Sequence, residues 1–309
     1  MQITLSDEQL RAGLTDAGSK AAYARTLGVP ITTLKDHLAR HDILLERAPT
    51  PQPDVVERLT APDGMKMLCI DIETRPALAY VWDIWNVNIS VDQLVATSEM
   101  LCWAAKWVGV PGVEYSSTFH DGKKAMIDRA WRLLDEADVV VHYNGKRFDI
   151  PHLNREFLSW GLTPPAPYHQ IDLYSTVKAR FRFQSNKLAH VSKLLGLGGK
   201  VETGGFGLWI KCLNDDPDAW AHMREYNIWD TVLLEDLYMK LRPWIASHPS
   251  FASFAAEDVC PKCSSKRLEW RGYFTTRTQQ YHRFRCNDCG AWGRATKRAK
   301  GVTVTEAAL

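Results

Sequence analysis

The segment Met67-Leu68-Cys69-Ile70-Asp71-Ile72-Glu73-Thr74 decides the fold that the rest of the chain is expected to adopt. Four apolar residues precede Asp71, and one further apolar residue separates Asp71 from Glu73. A β-strand would therefore turn both carboxylates to one face, about 7 Å apart. Two acids on one face repel each other, and a divalent cation is their usual partner. The alternative is a strand end that faces water, where Asp-x-Glu is common.

The composition is that of a globular protein with a sizeable core. The 309 residues are 45% hydrophobic and 24% charged, which allows one large domain with additions or two to three domains. The sequence has no basic leader followed by an apolar segment, and no apolar run of about 18 residues or more. These features predict a soluble protein that is neither secreted nor inserted in a membrane.

The net charge of +2 is unevenly distributed along the chain. Residues 260–309 contain eleven Lys or Arg and three Asp or Glu, a balance of +8, which leaves about −6 for the remainder. A basic carboxyl-terminal part indicates contact with nucleic acid. An acidic body with grouped carboxylates suits an enzyme that depends on cations.

Residues 1–47 predict a small all-α module. Ser6 opens a helix with an N-cap signal, and Gly28 supplies the turn between two later helices. The pattern resembles the helix-turn-helix of bacterial DNA-binding regulators and recombinases, which would direct Thr33 and Lys35 towards DNA. The module carries six basic and six acidic residues, which weakens the DNA interpretation. A helical hairpin used for packing or dimerisation is the alternative.

A proline-rich stretch, residues 48–64, predicts a semi-rigid linker. After it, the pattern predicts three strands (Met67–Glu73, Met100–Val108 and Gly112–Phe119), a helix (Lys124–Ala137) and a buried strand (Val139–His142). Strands followed by alternating helix and strand are typical of the RNase H-like fold. We therefore expect an α/β domain over residues 65–250, with a mixed sheet flanked by helices.

Two further segments carry candidate site residues. Asn144 begins a turn after the strand Val139–His142, Phe148 can anchor the loop, and Asp149 is expected at the N-cap of a helix over Ile150–Trp160. Asp149 is either that cap alone or a third carboxylate, because neighbouring strands deliver their ends to one edge of a sheet. A long helix over Pro217–Leu241 places Tyr226 and Asp230 on one face, one turn apart.

The three motifs together resemble the DnaQ-like exonucleases of the DEDD superfamily, in the branch whose last motif carries tyrosine. They are Asp71-x-Glu73, Asn144-x3-Phe148-Asp149 and Tyr226-x3-Asp230. Proofreading domains of family A and B polymerases, RNase D and the YprB-type nucleases share this pattern, and the resemblance spans about residues 65–243. The branch with histidine would place it five residues before the last aspartate, where this chain has Glu225.

The resemblance implies a metal-dependent 3′→5′ exonuclease that releases 5′-mononucleotides. Asp71, Glu73, Asp149 and Asp230 would hold two Mg²⁺ or Mn²⁺ ions roughly 4 Å apart. Tyr226 would orient the attacking water or take its proton, and the sequence leaves these two roles open. DNA with a single-stranded or duplex 3′ end is the expected substrate, with RNA as the alternative. Nucleic-acid contacts are expected at Asn144 and Phe148.

Two CxxC pairs, Cys260/Cys263 and Cys286/Cys289, predict one structural Zn²⁺ in a zinc ribbon over residues 256–300, followed by a tail, 301–309. The segment between the pairs alternates aromatic residues with arginines, a composition that suits single-stranded nucleic acid. We expect contacts from three arginines of this segment: Arg271, Arg283 and Arg285. The alternative is a ribbon that binds protein or only caps the body.

Two other classes of protein remain open. Transposases and RuvC-like endonucleases also combine such modules, although their ribbon commonly precedes the last catalytic acid, whereas here it follows Asp230. A non-catalytic nucleic-acid-binding regulator is the other, and the full set of acids argues against it. The module content fits phage or bacterial DNA replication, repair or degradation, with a replication or repair protein as a partner. The expected location is the cytoplasm of a bacterium or a phage-infected host cell.

Overall fold

The computed structural model describes residues 65–199, 201 and 203–302, together with 6, 8–10, 12–13, 20–30, 33–34 and 37 near the amino terminus. The chain divides into two compact units, Met1–Val56 and Glu57–Leu309. The predicted linker (48–64), Lys35 and most of the predicted tail lie outside the described residues.

The amino-terminal unit contains a helix α1 (Lys20–Thr26). Before it, Ser6 N donates to Gln9 Oε1 (3.0 Å) and Gln9 N donates to Ser6 Oγ (3.3 Å), so the predicted N-cap at Ser6 is confirmed. Gly28, at φ +63°, follows α1 as the predicted turn residue. Buried side chains of this unit include Leu10, Tyr23, Ala24 and Leu34. The helix-turn-helix itself stays a prediction.

The second unit is built on a sheet of five strands: β1 (Met67–Thr74), β4 (Met100–Trp107), β5 (Glu114–Ser117), β6 (Val139–His142) and β7 (His169–Asp172). Their order is β5-β4-β1-β6-β7. β1 is antiparallel to β4 and parallel to β6, and β6 is parallel to β7. A short hairpin, β2 (Leu78–Ala79) and β3 (Leu94–Ala96), lies in the connection after β1. The mixed sheet confirms the predicted RNase H-like fold class.

The helices of this unit are α2 (Lys123–Glu136), α3 (Asp149–Ser159), α4 (Leu173–Arg180), α5 (Leu188–Leu194), α6 (Gly207–Leu213) and α7 (Pro217–Leu241). Short 3₁₀ turns occur at Val91–Gln93, Arg242–Trp244 and Phe251–Phe254. α7 has the predicted bounds. Among the described residues, no helix combines the length and apolar character that crossing a membrane would require.

The alternation of β1 decides which layer each of its side chains meets. Leu68, Ile70 and Ile72 pack in a core with α2 and α3 on one face of the sheet. Met67 and Cys69 pack in a second core on the other face, which α7 covers with apolar side chains that include Leu234 and Leu237. Because side chains on a strand alternate with a period of two, Asp71 and Glu73 fall on the face that α7 covers.

The carboxyl-terminal part forms a separate sheet of four strands: β8 (Leu268–Thr275), β9 (Gln279–Cys286), β10 (Trp292–Arg294) and β11 (Lys300–Gly301). The segment between α7 and this sheet is anchored to the RNase H-like domain. Phe251 is buried in the core under α7, and its backbone N donates to Pro261 O (2.8 Å). Lys262 Nζ donates to Ile245 O.

Candidate active site

The site lies on β1, where its pairing with β6 has ended. β6 pairs with Met67–Cys69, so the following residues of β1 have no parallel neighbour on that side. The free edge is used by Asp149, whose Oδ1 accepts a hydrogen bond from Ile72 N at 3.1 Å. Ile72 stands between Asp71 and Glu73, so this bond ties the third carboxylate to the pair on the strand.

A tight turn between β6 and α3 delivers Asp149 to that position. Asn144 has φ +66°, and its backbone N donates to Asp172 Oδ1 at 2.9 Å. Gly145 N donates to His142 Nδ1 at 3.1 Å, and a Cβ on Gly145 would come within 2.5 Å of the His142 ring. The turn therefore requires glycine at 145 and is held by the buried His142 below it.

The predicted N-cap role of Asp149 is wrong. α3 begins at Asp149 itself, and the residue at the N-cap, Phe148, makes no side-chain cap bond. Backbone carbonyls satisfy two N–H groups of the first turn instead, because Ile150 N donates to Gly145 O (2.9 Å) and His152 N donates to Phe148 O (3.2 Å). The Asp149 side chain is thus released to bind β1. Asp172 is the cap of the next helix, α4, as expected, since it accepts from Tyr174 N at 3.0 Å.

α7 supplies the remaining site residues from its buried face. Tyr226 and Asp230 are 5% and 2% exposed. The Tyr226 ring lies edge-on to Trp209 of α6, with centroids 6.1 Å apart. Between them in sequence, Asn227 is fully buried and its Nδ2 donates to Asp71 Oδ2 at 2.8 Å and to Asp71 O at 3.3 Å. α7 is therefore bonded directly to the first carboxylate of the strand.

Asn227 is the functional residue that the sequence analysis missed. It stands three residues before Asp230, on the same helical face, which is the one available signal. The helical spacing that indicated Tyr226 and Asp230 also includes Asn227. Its amide was not selected because it is uncharged and does not titrate, unlike the two motif residues beside it. Its contact with Asp71 makes it a residue that positions the carboxylate.

Burial, together with the negative charge of neighbouring acids, shifts the pKa values of the site residues. Burial raises the pKa of Asp149 to about 7, although the hydrogen bond from Ile72 N acts in the opposite direction. Burial, followed by the charges of Glu73, Asp230 and Asp71, raises the pKa of Tyr226 above the usual value of a phenol. Cys102, buried beneath, has its pKa raised by burial first and then by Glu73. The group therefore stabilises positive charge and disfavours further negative charge.

The four predicted metal-binding acids share this region but do not form a tight cluster of oxygens. Among the described residues, the four cysteines of the ribbon are the one group of three or more acids, histidines or cysteines placed to hold a metal ion together. Carboxylates at close range repel one another, so drawing Asp71, Glu73, Asp149 and Asp230 to ligand distance needs positive charge between them.

The predicted nucleic-acid contacts fall in several places. Phe148 is 40% exposed at the start of α3, with its ring centroid 4.7 Å from that of His152, so it is not a buried anchor. Arg283 and Arg285 lie exposed on β9, and Arg271 lies in a bulge of β8. Thr33 lies in the separate amino-terminal unit.

The four cysteines form a second, compact site. Their Sγ atoms lie within 4.8 Å of one another, with 3.6 Å between Cys260 and Cys289 and 3.6 Å between Cys263 and Cys286. A tetrahedron with Zn–S bonds of about 2.3 Å has edges of about 3.8 Å, so the spacing fits Zn²⁺. Hydrogen bonding within the cluster lowers the pKa of Cys289 and raises the pKa of Cys263. A thiolate is the form that binds metal.

The two CxxC knuckles have the same backbone. Cys260 N donates to Ser265 O and Cys286 N donates to Ala291 O, both at 2.8 Å. The residue after each second cysteine has a positive φ, +60° at Ser264 and +75° at Gly290. This repetition directs both thiol pairs into one centre, and the four-cysteine cluster fits a zinc ribbon.

Comparisons with known proteins identify the domain but not the activity. Residues 111–242 match the model of the RNase_H superfamily, a range that contains Asp149, Tyr226 and Asp230 and begins after β1. Among 138 matching chains of solved structures is the family B DNA polymerase of the hyperthermophilic archaeon Pyrobaculum calidifontis, at 15% identity and a TM-score of 0.44. That match covers 70% of this chain and 31% of the polymerase chain. No curated protein matches. The family match thus identifies an RNase H-like domain in this chain.

Proposed function

We propose that this protein is a metal-dependent 3′→5′ exonuclease that removes 5′-mononucleotides from DNA, with RNA as a second substrate to be tested. The observation that carries the proposal is the hydrogen bond from Ile72 N to Asp149 Oδ1 (3.1 Å). It fixes an acid that is distant in sequence beside Asp71 and Glu73. A stabilising role alone does not account for the contact, because the buried carboxylate is costly to ionise there.

The donor set suits a hard divalent cation. Asp71, Glu73, Asp149 and Asp230 offer carboxylate oxygens, which Mg²⁺ and Mn²⁺ prefer, and the charges that act on Tyr226 are all negative. Two such ions, when bound, lower the pKa of a water and stabilise the leaving 3′-oxygen. The four acids would hold the ions: β1 carries Asp71 and Glu73, the start of α3 carries Asp149, and α7 carries Asp230.

The remaining site residues orient these groups and the substrate. Tyr226 would orient the attacking water through its hydroxyl, with its ring fixed against Trp209. Asn227 holds Asp71 by its Nδ2, so the carboxylate keeps one oxygen towards α7. Asn144 and the exposed Phe148 lie in the segment that leads into α3 and are proposed to contact the terminal nucleotides. The zinc of the ribbon is structural, because four thiolates leave no open position.

The flanking modules are proposed to bind nucleic acid. The amino-terminal unit would present Thr33 and Lys35 to DNA as a helix-turn-helix. The ribbon contributes a basic surface, and the segment that follows α7 attaches it to the catalytic domain. The 3′ end of a substrate would then bind at the four acids, and one of the flanking modules would bind the upstream part of the same strand.

The test is cleavage of 5′-labelled single-stranded DNA and RNA with Mg²⁺ or Mn²⁺. Wild type is compared with Asp71→Asn/Glu73→Gln and with a control, Asp128→Asn, whose carboxylate pairs with Lys124 on α2. We expect a ladder that shortens from the 3′ end, lost in the double variant and kept in the control. Discrete internal cuts would instead identify an endonuclease, and the absence of metal-dependent cleavage would identify a non-catalytic binding protein. Either result rejects the proposal.

A further inference from the structure

The register of the ribbon sheet sorts its side chains into two different faces. On β9, Tyr281, Arg283 and Arg285 alternate with His282 and Phe284. Residues paired across antiparallel strands share a face. Phe274 therefore joins Tyr281, and Trp292 and Arg294 of β10 join Arg285 and Arg283, as the cross-strand pairs require.

One face, the arginine–aromatic face, carries three arginines, three aromatic residues and one acid: Phe274, Tyr281, Arg283, Arg285, Trp292, Arg294 and Glu269. Two of its three guanidinium groups lie over its rings. Arg283 is 5.1 Å from the centroid of Trp292, and Arg294 is 5.4 Å from Phe274 and 3.9 Å from Tyr281. Phe274 and Trp292 are nevertheless 47% and 52% exposed, so each ring leaves about half of its area open to a partner.

Charge repulsion between arginines of this face destabilises the sheet. Arg283 and Arg294 stand directly opposite each other on β9 and β10, and like charges in such a pair destabilise the sheet. The one carboxylate in this register, Glu269, is opposite Arg285 and also lies 3.6 Å from Arg271 Nε. Three arginines with a single facing acid form a surface that a polyanion would neutralise.

The backbone also holds Arg283 in place. β8 bulges between Trp270 and Tyr273, with Gly272 at φ +64°. The bulge presents the carbonyl of Arg271, which accepts a hydrogen bond from Arg283 Nε at 2.8 Å. The guanidinium is thus fixed over Trp292 by its Nε, so its terminal nitrogens are pre-oriented and little side-chain entropy is lost on binding.

The opposite face is different in chemistry. It contains Trp270 and Phe284, whose rings meet edge to face at 5.2 Å, and Tyr273 beside His282. The Phe284 ring lies across Gly293, where a Cβ would approach it to 2.3 Å. This face is therefore aromatic and partly self-packed, and no arginine of β9 or β10 lies on it.

We infer that the arginine–aromatic face binds a single strand of nucleic acid, with bases stacked on Trp292 and Phe274 and phosphates at Arg283, Arg285 and Arg294. Rings interleaved with cations match a strand whose bases are open, because stacking and phosphate contact act together. A duplex buries its base faces and offers only the phosphates. The inference rests on the proposed function, for which it names the strand-holding surface, but binding at this face needs no catalytic metal.

The test measures binding of the full-length protein to a 5′-fluorescein oligothymidylate of about 20 nucleotides. Fluorescence anisotropy reports the affinity, without added Mg²⁺ or Mn²⁺. The variants are Trp292→Ala and Arg283→Gln/Arg294→Gln. Tyr273→Ala, on the opposite face and similarly exposed at 50%, is the matched control. We expect Trp292→Ala to lose about tenfold in affinity, the double arginine variant to flatten the salt dependence by about 1.4 in log–log slope, and the control to stay within about twofold of wild type.

Three outcomes overturn the inference: wild-type affinity in both variants, an equal loss in the Tyr273→Ala control, or binding of a matched duplex as tight as that of the single strand. A zinc content of one ion per chain verifies that each variant is folded. If Trp292→Ala loses zinc, the affinity and salt dependence of the double arginine variant show whether the arginine–aromatic face binds the strand. Cleavage is measured separately. A protein that binds through this face without cutting refutes only the proposed function, and one that cuts while binding elsewhere refutes only this inference.

Discussion

Replacing Asp149 with asparagine removes the charge of this side chain while keeping its shape and its acceptor for Ile72 N. Burial raises the pKa of Asp149 from 3.8 to about 7. The unfolded chain therefore releases this proton at lower pH than the folded protein does. The protonated side chain therefore stabilises the folded state. This contribution to the free energy of unfolding is fully present below about pH 4 and is lost as the pH rises towards 7.

The expected magnitude comes from that shift. About three pKa units at roughly 1.4 kcal/mol each give a cost of about 4 kcal/mol for the ionised side chain at pH 7. An asparagine avoids that cost but buries an amide donor, which costs about 2 kcal/mol. The variant should be about 2 kcal/mol more stable than wild type at pH 7, and less stable than wild type near pH 4.

Urea unfolding between pH 4 and 7.5, without added divalent cations, measures this difference. Asp172→Asn is the matched control, because Asp172 caps α4 and accepts from Asn144 N. Because asparagine keeps the acceptor oxygen of an N-cap, the control should stay within about 0.5 kcal/mol of wild type at pH 7. Adding Mg²⁺ should then stabilise wild type, since ligand binding to the folded state favours it, and should stabilise Asp149→Asn much less. A variant that is less stable than wild type at pH 7, or one that gains as much from Mg²⁺, would refute the reasoning.

Three further predictions concern other groups. Tyr226→Phe keeps the ring against Trp209 but loses the hydroxyl, so single-turnover cleavage should slow about 100-fold with little change in KM; an unchanged rate would exclude a role for the hydroxyl. Burial lowers the pKa of His248 to about 3, and the neutral ring bridges Tyr238 OH and Pro249 O. The contribution of neutral His248 to the free energy of unfolding should be complete above pH 6.5 and about 2 kcal/mol smaller at pH 5. His248→Gln should remove this pH dependence from the measured free energy of unfolding. Gly290→Ala should cost about 1 kcal/mol because φ is +75° there, whereas Ser264→Gly, at φ +60°, should gain up to about 1 kcal/mol. Urea unfolding at saturating Zn²⁺ measures both changes, and effects of the same sign would contradict the equivalence of the knuckles.

The chemistry of the ribbon and of β1 was predictable because it depends on local spacing. Two CxxC pairs predict a four-cysteine centre wherever the chain goes, and the structure brings all four thiols within 4.8 Å. The apolar alternation of Met67–Thr74 likewise predicts a strand with both acids on one face. α7 was predictable from Pro217 to Leu241 because Asp216 caps it, Pro217 follows at N1, and its apolar positions repeat with the helical period.

The role of Asp149 was not predictable from local rules. An aspartate at the start of a helix is usually its cap, and sequence spacing could not show that Gly145 O and Phe148 O satisfy that turn instead. Asn227 was missed for a related reason. Its function consists of one contact to Asp71, which is 156 residues away in sequence.

The sequence by itself determined the types of side chain, the faces of the strands and helices that carry them, and the zinc-binding spacing, because periodicity and short motifs are local properties of the chain. The tertiary structure decided which of these faces meet. Parallel pairing of β1 with β6 ends at Cys69, and only this leaves Ile72 N to bind Asp149. The packing of α7 on the sheet, in turn, brings Asn227 to Asp71. The register of β9 with β8 and β10 likewise collects the arginines and aromatic rings on one face, since pairing across strands is set by contacts that no local pattern specifies.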